Sequence, residues 1–363
     1  METKKLRMGV LGLGEGRSVI SAVLESDLWE LGQICDLNEA LCRERMAEFG
    51  LSGYTLSYED MLADPAIDVI GIYTPDQLHV RHILQALRAG KHVICTKPLA
   101  VSLEGAAELL RAQRESGKQV MIGQSSRYFE PAMRQRRDFE AGRNGELVTV
   151  ETAYISDSRW FLDRPWSHEA GFSWMYNFLI HAVDLAVWYL PHVEKVYGVG
   201  VTSANSEARG IHAPDALKFL LTDRSGISAS VNGCYAVPAL ASPVEHFITC
   251  TLRGTMGASR ADCPLSYSYH FSEPGKFKRT ETESYEALRP YYYRFEGETH
   301  HAGEYQNYME YFARCLQRGE TPLPDLREGI RTMAVMAAME KSLESGRPES
   351  VSEVLAQAGL AEL

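Results

Sequence analysis

The sequence has few of the features that mark secreted, membrane or nucleic-acid-binding proteins. Its seven cysteines include no Cys-x-x-Cys pair, so neither a zinc ribbon nor a disulfide framework is indicated. No apolar run approaches the roughly 20 residues that span a bilayer, and the start METKKLRMGV lacks the apolar core of a secretory signal. Basic residues are outnumbered, 37 Lys and Arg against 48 Asp and Glu, whereas a nucleic-acid binder needs basic surface. We therefore expect a cytoplasmic protein with no nucleic-acid or membrane partner.

Apolar residues are not scarce, and their number indicates how large a core the chain can form. They make up 45% of 363 residues, which is ample for a buried core and suggests two domains. Tryptophan is sparse, but four of the five tryptophans lie between Trp160 and Trp188. A uniform core would not place them so unevenly.

The first third of the chain alternates between short β-rich runs and helical stretches. The predicted strands are 7–11, 31–35, 67–73, 92–95 and 120–122. The helical stretches 78–89 and 103–116 are each followed by a glycine, which is the usual residue after a helix C-terminus. Because strands that are apolar on both faces and separated by helices form parallel sheets, we predict an α/β fold with a doubly wound parallel sheet over residues 1–123.

After about residue 145 the pattern changes. Further strands are predicted at 147–154, 196–203, 216–222, 227–235, 247–253 and 265–271. A turn at 223–226 separates two of them, and such a series is typical of a mostly antiparallel sheet. Helices are predicted at 303–318 and 326–345. The second domain is therefore predicted over residues 124–363, and its last helices could pack back on the first domain.

A glycine cluster lies where the first predicted strand meets the first helix. Gly12 and Gly14 form a Gly-x-Gly pair, and such a turn lets phosphate oxygens approach the backbone amides at the helix N-terminus. Asp36 follows Gly14 by 22 residues at the end of the second strand, where a carboxylate can accept hydrogen bonds from an adenosine ribose. The combination predicts dinucleotide binding, and a purely structural glycine turn is the alternative.

Two residues bear on the choice of dinucleotide. Asp36 disfavours NADP, because a 2′-phosphate would lie against its negative charge. Arg17 occupies the third position of the glycine fingerprint and could offset that charge by reaching a phosphate. NAD is therefore the expected cofactor, and NADP is less favoured.

Six segments in a fixed order carry a family resemblance. They are 12–14 (GLG), 74–79 (TPDQLH), 90–98 (GKHVICTKP), 127–129 (RYF), 181–184 (HAVD) and 322–325 (PLPD). In this order the chain resembles the Gfo/Idh/MocA oxidoreductases, which include glucose–fructose oxidoreductase and inositol dehydrogenase. The resemblance implies an N-terminal Rossmann domain and a C-terminal α/β domain whose open sheet serves oligomer contacts, as in a homodimer or homotetramer. The cofactor residues that it implies are Gly12, Leu13, Gly14, Glu15, Gly16, Arg17, Asp36, Thr74, Pro75, His79, Thr96, Lys97, Pro98 and Gln124.

Lys97 and Pro98 match the family's Glu-Lys-Pro signature, whose lysine lies beside the nicotinamide and the reacting carbon. An ammonium there can hydrogen-bond the substrate oxygen and stabilise alkoxide character as hydride leaves. Taken alone, a Lys-Pro pair is more often a surface lysine before a turn proline. The signature's glutamate is Thr96 in this chain, so its carboxylate is missing.

The family's second signature, Asp-x-Gly-x-His-x-x-Asp, corresponds to residues 177–184 (NFLIHAVD). His181 is retained and is the expected acid or base near neutral pH, the alternative being a satisfied core histidine. Asn177 replaces the first aspartate, and an amide can orient a hydroxyl but cannot take a proton. The acid–base work therefore shifts to Lys97 and His181. On a helix, Asp184 would lie three residues after His181, where it either orients the ring or has a structural role.

Aromatic and polar residues follow in the part of the chain where the resemblance implies the substrate cleft. Aromatic faces suit the C–H faces of a sugar ring, and Arg, His and amide groups can bind its hydroxyls. The predicted substrate residues are Arg127, Tyr128, Trp160, Arg164, Trp166, His168, Asn177, His181, His301 and Tyr305. An aromatic core is the alternative, and it is favoured for Trp174 and Trp188. The arginines hint at an anionic substrate group, and no metal site is expected, because His301 and Glu304 lack a third spaced ligand.

The sequence therefore predicts an NAD-dependent oxidoreductase that acts on a secondary hydroxyl of a sugar, glycoside or polyol. The alternative is an NAD-dependent glycoside hydrolase, which oxidises the sugar transiently, eliminates the aglycone, adds water and reduces the sugar again. An anionic glycoside is a candidate substrate for this alternative. A non-catalytic NAD sensor is disfavoured, because Lys97 and His181 both remain.

Overall fold

Short apolar runs near the N-terminus pair into one parallel sheet in a computed structural model of the chain. The structure describes residues 4–169, 171–239, 246–271, 279–295 and 302–363. Within these residues the first sheet has the order β2-β1-β3-β4-β5. Its strands are β1 (Leu6–Leu11), β2 (Trp29–Cys35), β3 (Val69–Ile72), β4 (His92–Thr96) and β5 (Val120–Gly123). Strands β3 and β5 are buried at every residue, as expected for a parallel sheet covered on both faces.

Helices alternate with these strands. They are α1 (Gly16–Leu24), α2 (Glu39–Phe49), α3 (Tyr58–Ala63), α4 (His79–Arg88) and α5 (Ala106–Ser116). Asn38 caps α2, because its side chain accepts hydrogen bonds from the first-turn amides of Ala40 and Leu41. Gly117 ends α5 in the left-handed conformation, at the position that the sequence indicated. The predicted α/β fold with a doubly wound parallel sheet is confirmed.

The remaining elements form a second, mostly antiparallel sheet with helices. They are α6 (Glu130–Glu140), β6 (Leu147–Ile155), α7 (Ile180–Tyr189), β7 (Val193–Val201), α8 (Ala204–Glu207), β8 (Ala216–Asp223), β9 (Ser228–Cys234), β10 (His246–Gly254), β11 (Gly257–Pro264), β12 (Ser266–Phe271), β13 (Arg279–Ser284), α9 (Arg289–Tyr292), α10 (Gly303–Arg318), α11 (Leu326–Ser345), β14 (Glu349–Ser350) and α12 (Val351–Gln357). The order is β13-β12-β11-β10-β6-β9-β8-β7-β14 within the described ranges. Only the β6–β9 pair among them is parallel, so the predicted mostly antiparallel sheet is also confirmed.

Helix α6 and strands β11 and β13 were not predicted from the sequence. Strand β11 (GASRADCP) is built mainly of small and charged residues with low β-propensity, and β13 (RTETES) is a polar, mostly exposed edge strand. Helix α6 (EPAMRQRRDFE) has few apolar residues, so it shows little helical periodicity. These three elements are therefore stabilised by contacts with their neighbours rather than by local sequence preference: β11 and β13 pair with β12, and α6 packs against β11 and β12.

The chain divides into two units, and each is described here by itself. The first unit consists of residues 1–125, 291–333 and 363, and the second of 126–290 and 334–362. Helix α10 belongs to the first unit, where it packs against α1 and β5. The domain limits drawn from the sequence, 1–123 and 124–363, stay a prediction. Within the described ranges, none of the helices combines the length and the apolar character that crossing a bilayer requires.

Trp29 anchors α10 in the first unit. Its indole Nε1 donates a hydrogen bond to the carbonyl oxygen of Met309 at 3.0 Å, and its ring stacks on Phe312 at a centroid distance of 6.4 Å. Trp29 and Phe312 are both almost fully buried. This contact joins residues 280 positions apart in the chain, and it fixes the segment after residue 302 beside the N-terminal sheet.

Candidate active site

The glycine-rich turn after β1 has the shape that a dinucleotide requires. Gly12 has φ +87°, and a Cβ placed on it would meet the backbone carbonyl of Tyr73 at 2.5 Å, so no other residue fits without strain. A Cβ on Gly14 would meet nothing within 4 Å, so open space adjoins the backbone at the second glycine. The turn therefore leaves room for a phosphate group against the backbone at the N-terminus of α1.

Asp36 and Arg45 hold this turn from both sides. The Oδ2 atom of Asp36 accepts the backbone N–H of Leu13 at 2.8 Å, and its Oδ1 accepts that of Asn38 at 2.8 Å. The Nε atom of Arg45 donates to the carbonyl oxygen of Leu13 at 3.2 Å. The structure thus places Asp36 at the glycine turn, as the spacing predicted, and each carboxylate oxygen can accept a further hydrogen bond.

Arg17 is turned toward partners of its own. Its Nε atom donates to Glu48 at 2.6 Å, and its guanidinium lies 4.2 Å from the ring centroid of Phe295. Glu48 also pairs with Arg45 at 2.7 Å. Because the charge of Arg17 is balanced by Glu48, the expectation that it offsets the charge of Asp36 by reaching a phosphate is not supported.

His79 connects the loops that follow β3 and β4. Its Nδ1 atom lies 2.7 Å from the carbonyl oxygen of Pro98, and its Nε2 atom lies 2.8 Å from that of Thr74. His79 has no exposed surface, and its ring holds the Thr74 loop against the residue that follows Lys97. Its assignment to the cofactor site stays a prediction. The Thr74 hydroxyl is bonded to His82, whose pKa burial lowers to about 4.

Lys97 lies half-buried between β4 and the cis peptide bond that joins it to Pro98. Burial lowers the pKa of its ammonium, and the negative charges of Asp76 and Glu15 partly oppose that shift. Burial raises the pKa of Asp76, and His79 and Lys97 oppose the rise. Asp76 lies in the TPDQLH segment but was not among the predicted site residues. The neutral form of Lys97 is thus more favoured than the neutral form of an exposed lysine.

Tyr305 lies against the glycine-rich turn. Burial raises the pKa of its hydroxyl, and Glu15, which is hydrogen-bonded to that hydroxyl, raises it further. Its ring centroid lies 6.4 Å from that of Tyr73, and the Tyr73 hydroxyl is 2.6 Å from that of Tyr308. Tyr305 is 7% exposed and contacts the turn through Glu15, and its assignment to the substrate stays a prediction.

Gln124 and Thr96 lie at the ends of β5 and β4. Both side chains are buried, and the Oε1 atom of Gln124 has no hydrogen-bond partner among the described residues. Buried polar atoms are almost always satisfied, so this oxygen is able to accept a hydrogen bond from a donor that reaches it. This acceptor and the open space at Gly14 are features that fit a dinucleotide.

His181 lies in the second unit on the first turn of α7. A π-helical turn, Met175–Leu179, precedes this helix, and such turns are frequent at functional sites. The Nδ1 atom of His181 lies 2.7 Å from the hydroxyl of Ser126, which sequence reasoning missed because a lone serine carries no motif. Asn177 lies in the π-helical turn, where its Nδ2 atom donates to the carbonyl oxygen of Ser173 at 2.9 Å.

Arg127 and Asp184 form a buried ion pair in the same unit. Nε of Arg127 lies 2.6 Å from Oδ2 of Asp184, and Nη2 lies 2.8 Å from Oδ1, so the pair is bidentate. The side chains are 2% and 1% exposed. The guanidinium also lies 5.1 Å from the ring centroid of Trp188. The charge of Arg127 thus binds Asp184 inside the core, which supports a structural role for Asp184. The assignment of Arg127 to the substrate stays a prediction.

Two of the clustered tryptophans present exposed rings. Trp160 is 52% and Trp166 39% exposed, and both contact Phe161 edge-on at centroid distances of 4.4 Å. Trp174 is fully buried and stacks on Tyr235 at 5.5 Å. The cluster therefore has a packed interior and an exposed side, and the exposed side is the part that a ligand can contact.

The other predicted substrate residues are dispersed. The guanidinium of Arg164 lies 5.3 Å from the ring centroid of Trp160. His168 is exposed, and its Nε2 atom lies 3.0 Å from the carbonyl oxygen of Leu162. Tyr128 is 8% exposed, and His301 lies outside the described residues. Within the described part of the chain, no three His, Cys, Asp or Glu side chains gather as metal ligands would.

Comparison with known families assigns the fold. A family model described as an oxidoreductase family with an NAD-binding Rossmann fold matches residues 6–124. The model of that family's C-terminal alpha/beta domain matches residues 138–351. Fold and matches define the class of an NAD-binding oxidoreductase. More narrowly, the chain belongs to the Gfo/Idh/MocA family of these enzymes, which confirms the resemblance found in its motifs.

Individual relatives have low sequence identity to this chain, but two of the matches cover almost all of it. An uncharacterized oxidoreductase, YrbE, of Bacillus subtilis (strain 168) is 25% identical over 96% of this chain and 97% of its own. The D-xylose 1-dehydrogenase (NADP(+)) 2 of Haloferax volcanii is 26% identical over 93% of this chain and 97% of its own. A shorter match, 28% identical over 47% of this chain and 39% of the relative, is to a glycosyl hydrolase family 109 protein of Shewanella sp. (strain W3-18-1).

A solved structure shares the fold. The levoglucosan dehydrogenase complex with NADH and levoglucosan superposes with a TM-score of 0.81. The match is 20% identical in sequence and covers 96% of this chain and 100% of that one. At this identity the likeness concerns the fold alone.

The buried ion pair leads to a stability prediction. Asp184→Asn leaves the Arg127 guanidinium buried without a counter-charge, so we expect a loss of about 3–5 kcal/mol in the free energy of unfolding. Urea denaturation followed by circular dichroism measures this loss. Asp163→Asn, at an exposed aspartate in the same unit, is the control and should change stability by less than about 1 kcal/mol. Equal effects of the two substitutions would contradict the structural role of Asp184.

Proposed function

We propose that the enzyme is an NAD-dependent oxidoreductase that acts on a secondary hydroxyl of a sugar, glycoside or polyol. The observation that carries the proposal is the glycine turn with open space at Gly14 in the same unit as Lys97, a lysine whose pKa is lowered by burial. The D-xylose dehydrogenase activity named for one relative supports the substrate class.

The chain's own residues divide the work of binding and proton transfer. The turn at Gly12–Gly14 holds the pyrophosphate, Asp36 binds the adenosine ribose, and the buried Oε1 of Gln124 accepts a hydrogen bond from the bound cofactor. When bound, NAD supplies the hydride acceptor at nicotinamide C4. Thr96, Pro75 and Pro98 complete the loops at the ends of β3 and β4 beside it.

Lys97 binds the oxygen of the reacting hydroxyl. Because burial lowers the pKa of its ammonium, a neutral amine able to take the hydroxyl proton is more accessible near neutral pH than in an exposed lysine. The protonated form then stabilises negative charge on that oxygen. His181 is the second acid–base group, and Asn177 orients a hydroxyl without taking a proton.

The substrate is bound by the exposed rings of Trp160 and Trp166 and by the polar groups near them. A sugar ring covers about the area that an exposed indole face offers, and its hydroxyls suit the side chains of Arg164 and His168. Tyr128, which is 8% exposed, stays a predicted substrate residue. Arg164 stacks on Trp160 and carries a positive charge, which favours a substrate with an anionic group.

NAD is preferred over NADP on charge grounds. Asp36 carries a negative charge at the ribose position, and the three arginines of α1 and α2 are matched by three carboxylates: Arg17 pairs with Glu48, Arg43 with Glu39, and Arg45 with Glu44 and Glu48. The positive charges of these arginines are thus already neutralised in the absence of a 2′-phosphate. The D-xylose dehydrogenase relative carries NADP(+) in its name, so the preference of this chain for NAD has to be tested directly.

The redox glycoside hydrolase is the second candidate, and the glycosyl hydrolase family 109 relative is the observation that favours it. This activity uses the same cofactor and Lys97, but it returns the hydride to the sugar and releases an aglycone. The dehydrogenase is preferred because that relative matches less than half of this chain, whereas the D-xylose dehydrogenase matches 93% of it.

Activity tests the proposal directly. The purified enzyme is incubated with NAD and a panel of aldoses, inositols, uronic acids and aryl glycosides, and NADH and aglycone are followed together. We expect stoichiometric NADH with at least one member, and Lys97→Met should lower kcat/KM by about 100-fold or more, since acid–base groups contribute 10²–10⁴-fold. Lys118→Met, in the loop before β5, is the matched control and should retain activity.

Two outcomes would overturn this assignment. Aglycone release without net NADH would establish the hydrolase, and full activity of Lys97→Met would remove Lys97 from the mechanism. Thermal unfolding of both variants shows whether a loss of activity reflects chemistry or misfolding.

Cofactor preference gives a second prediction for the first unit. Asp36→Asn keeps an oxygen that can accept the N–H of Leu13 but removes the negative charge. We expect the ratio of kcat/KM for NADP to that for NAD to rise by about 10-fold or more, because a charge-assisted hydrogen bond is worth about 1.5–3 kcal/mol. Asp27→Asn, at an exposed turn before β2, should leave the ratio unchanged. An unaltered ratio in Asp36→Asn would contradict the assignment of Asp36 to the ribose.

We also propose that the chain forms a homodimer or homotetramer through the outer face of the second sheet. Side chains of β7 and β8 alternate, and apolar residues are exposed on one face: Val199 is 51%, Val201 63% and Leu220 53% exposed. Exposed apolar groups on neighbouring strands suit a second copy of the same sheet.

Light scattering tests this interface. The wild-type enzyme should have the mass of a dimer or tetramer, and the double variant Val199→Lys and Leu220→Lys should be a monomer, because two charges would be buried without partners. Leu56→Lys, at an exposed position in the first unit, is the control and should not change the mass. A monomeric wild type would refute the interface, as would an unchanged mass in the double variant.

A further inference from the structure

The hydrogen bond between Ser126 and His181 joins two elements of the second unit that are 55 residues apart in the chain. Ser126 lies in the short helical turn Ser125–Tyr128, and His181 lies on the first turn of α7. The hydroxyl oxygen and Nδ1 are 2.7 Å apart, and Ser126 is 1% exposed. A bond this short between a buried hydroxyl and a ring nitrogen determines how the ring is oriented.

The neighbours of the ring restrict it further. Tyr154 contacts the His181 ring edge-on at a centroid distance of 5.7 Å, and burial raises the pKa of the Tyr154 hydroxyl, so it stays neutral. Next to Ser126, the Arg127 guanidinium is bound in bidentate fashion to Asp184. Arg127, next to Ser126, and Asp184, three residues after His181, thus pair with each other, and Nδ1 faces a neutral hydroxyl.

Which ring nitrogen carries the proton decides what a neutral histidine can do. Neutral imidazole has one N–H donor and one acceptor nitrogen, and the partner of one nitrogen sets the state of the other. If Nδ1 carries the proton and donates it to the Ser126 hydroxyl, Nε2 keeps its lone pair and acts as a base. If the hydroxyl donates to Nδ1 instead, Nε2 carries the proton and cannot accept another.

We propose that Ser126 is a positioning residue that holds neutral His181 in the tautomer protonated at Nδ1, so that Nε2 can take a proton from the substrate. The role of His181 as a base rests on the proposed function, whereas the tautomer is a property of the protein alone. A serine hydroxyl fixes the ring without a negative charge, which suits a chain in which Asn177 has replaced the signature aspartate.

Nitrogen NMR of the full-length protein labelled with ¹⁵N-histidine reads the tautomer without substrate. The His181 signals are assigned by their loss in His181→Gln. Above the titration of His181, we expect Nδ1 to show the protonated chemical shift and Nε2 the unprotonated one. In Ser126→Ala the ring should shift toward the Nε2-protonated form, which free histidine prefers. Ser125→Ala, at the neighbouring buried serine, is the matched control and should leave the tautomer unchanged.

Kinetics then tests whether positioning matters for turnover. We expect Ser126→Ala to lower kcat by about 10-fold or more with KM changed less than threefold, as for loss of one orienting hydrogen bond. The low-pH limb of its kcat profile should also move, and Ser125→Ala should match the wild type in both respects.

Three results would overturn the proposal: a wild-type His181 protonated at Nε2, a tautomer unchanged in Ser126→Ala, or an unchanged kcat and pH profile in that variant. If the wild-type enzyme reduces NAD with no member of the panel, the proposed function fails instead, and the NMR result still decides the Ser126–His181 arrangement.

Discussion

The His79 ring connects the loops that follow β3 and β4 in the first unit. Its two nitrogens lie 2.8 Å from the carbonyl oxygen of Thr74 and 2.7 Å from that of Pro98, the residue after Lys97. The residue before Thr74 is Tyr73, whose carbonyl occupies the space that a side chain at Gly12 would need. A continuous series of contacts therefore runs from the glycine turn to Lys97. The carboxyl ends of parallel strands lie at the same edge of a sheet, and ligands bind at that edge in such sheets. These contacts lie at the carboxyl ends of β1, β3 and β4.

Buried charged side chains have different partners in the two units. In the first, burial lowers the pKa of Lys97, and the negative charges of Asp76 and Glu15 oppose that shift. In the second, Arg127 and Asp184 neutralise each other inside the core, and His181 faces the neutral Ser126. The ion pair thus stabilises the scaffold, and the groups assigned to proton transfer are the ones whose charge can change.

The hydrophobic pattern of the sequence predicted the strands and helices that are rich in apolar residues. The strands β1 to β5 and the helices α10 and α11 follow from apolar runs and flanking glycines, but α6 and β13 are polar and exist because of their neighbours in space. The site divides in the same way. The glycine turn and Asp36 were predictable from spacing, whereas the pairing of Arg127 with Asp184 depends on a contact across 57 residues, and Ser126 carries no pattern. His79 belonged to a predicted motif, but only its burial revealed that it binds carbonyl groups.

In the proposed reaction, the enzyme moves hydride from a carbon that bears a hydroxyl to NAD. The most direct test uses a substrate carrying deuterium at that carbon, with mass spectrometry of the cofactor after a single turnover. We expect reduced cofactor that contains one deuterium atom. Reduced cofactor without deuterium, or converted substrate with no reduced cofactor at all, would contradict it.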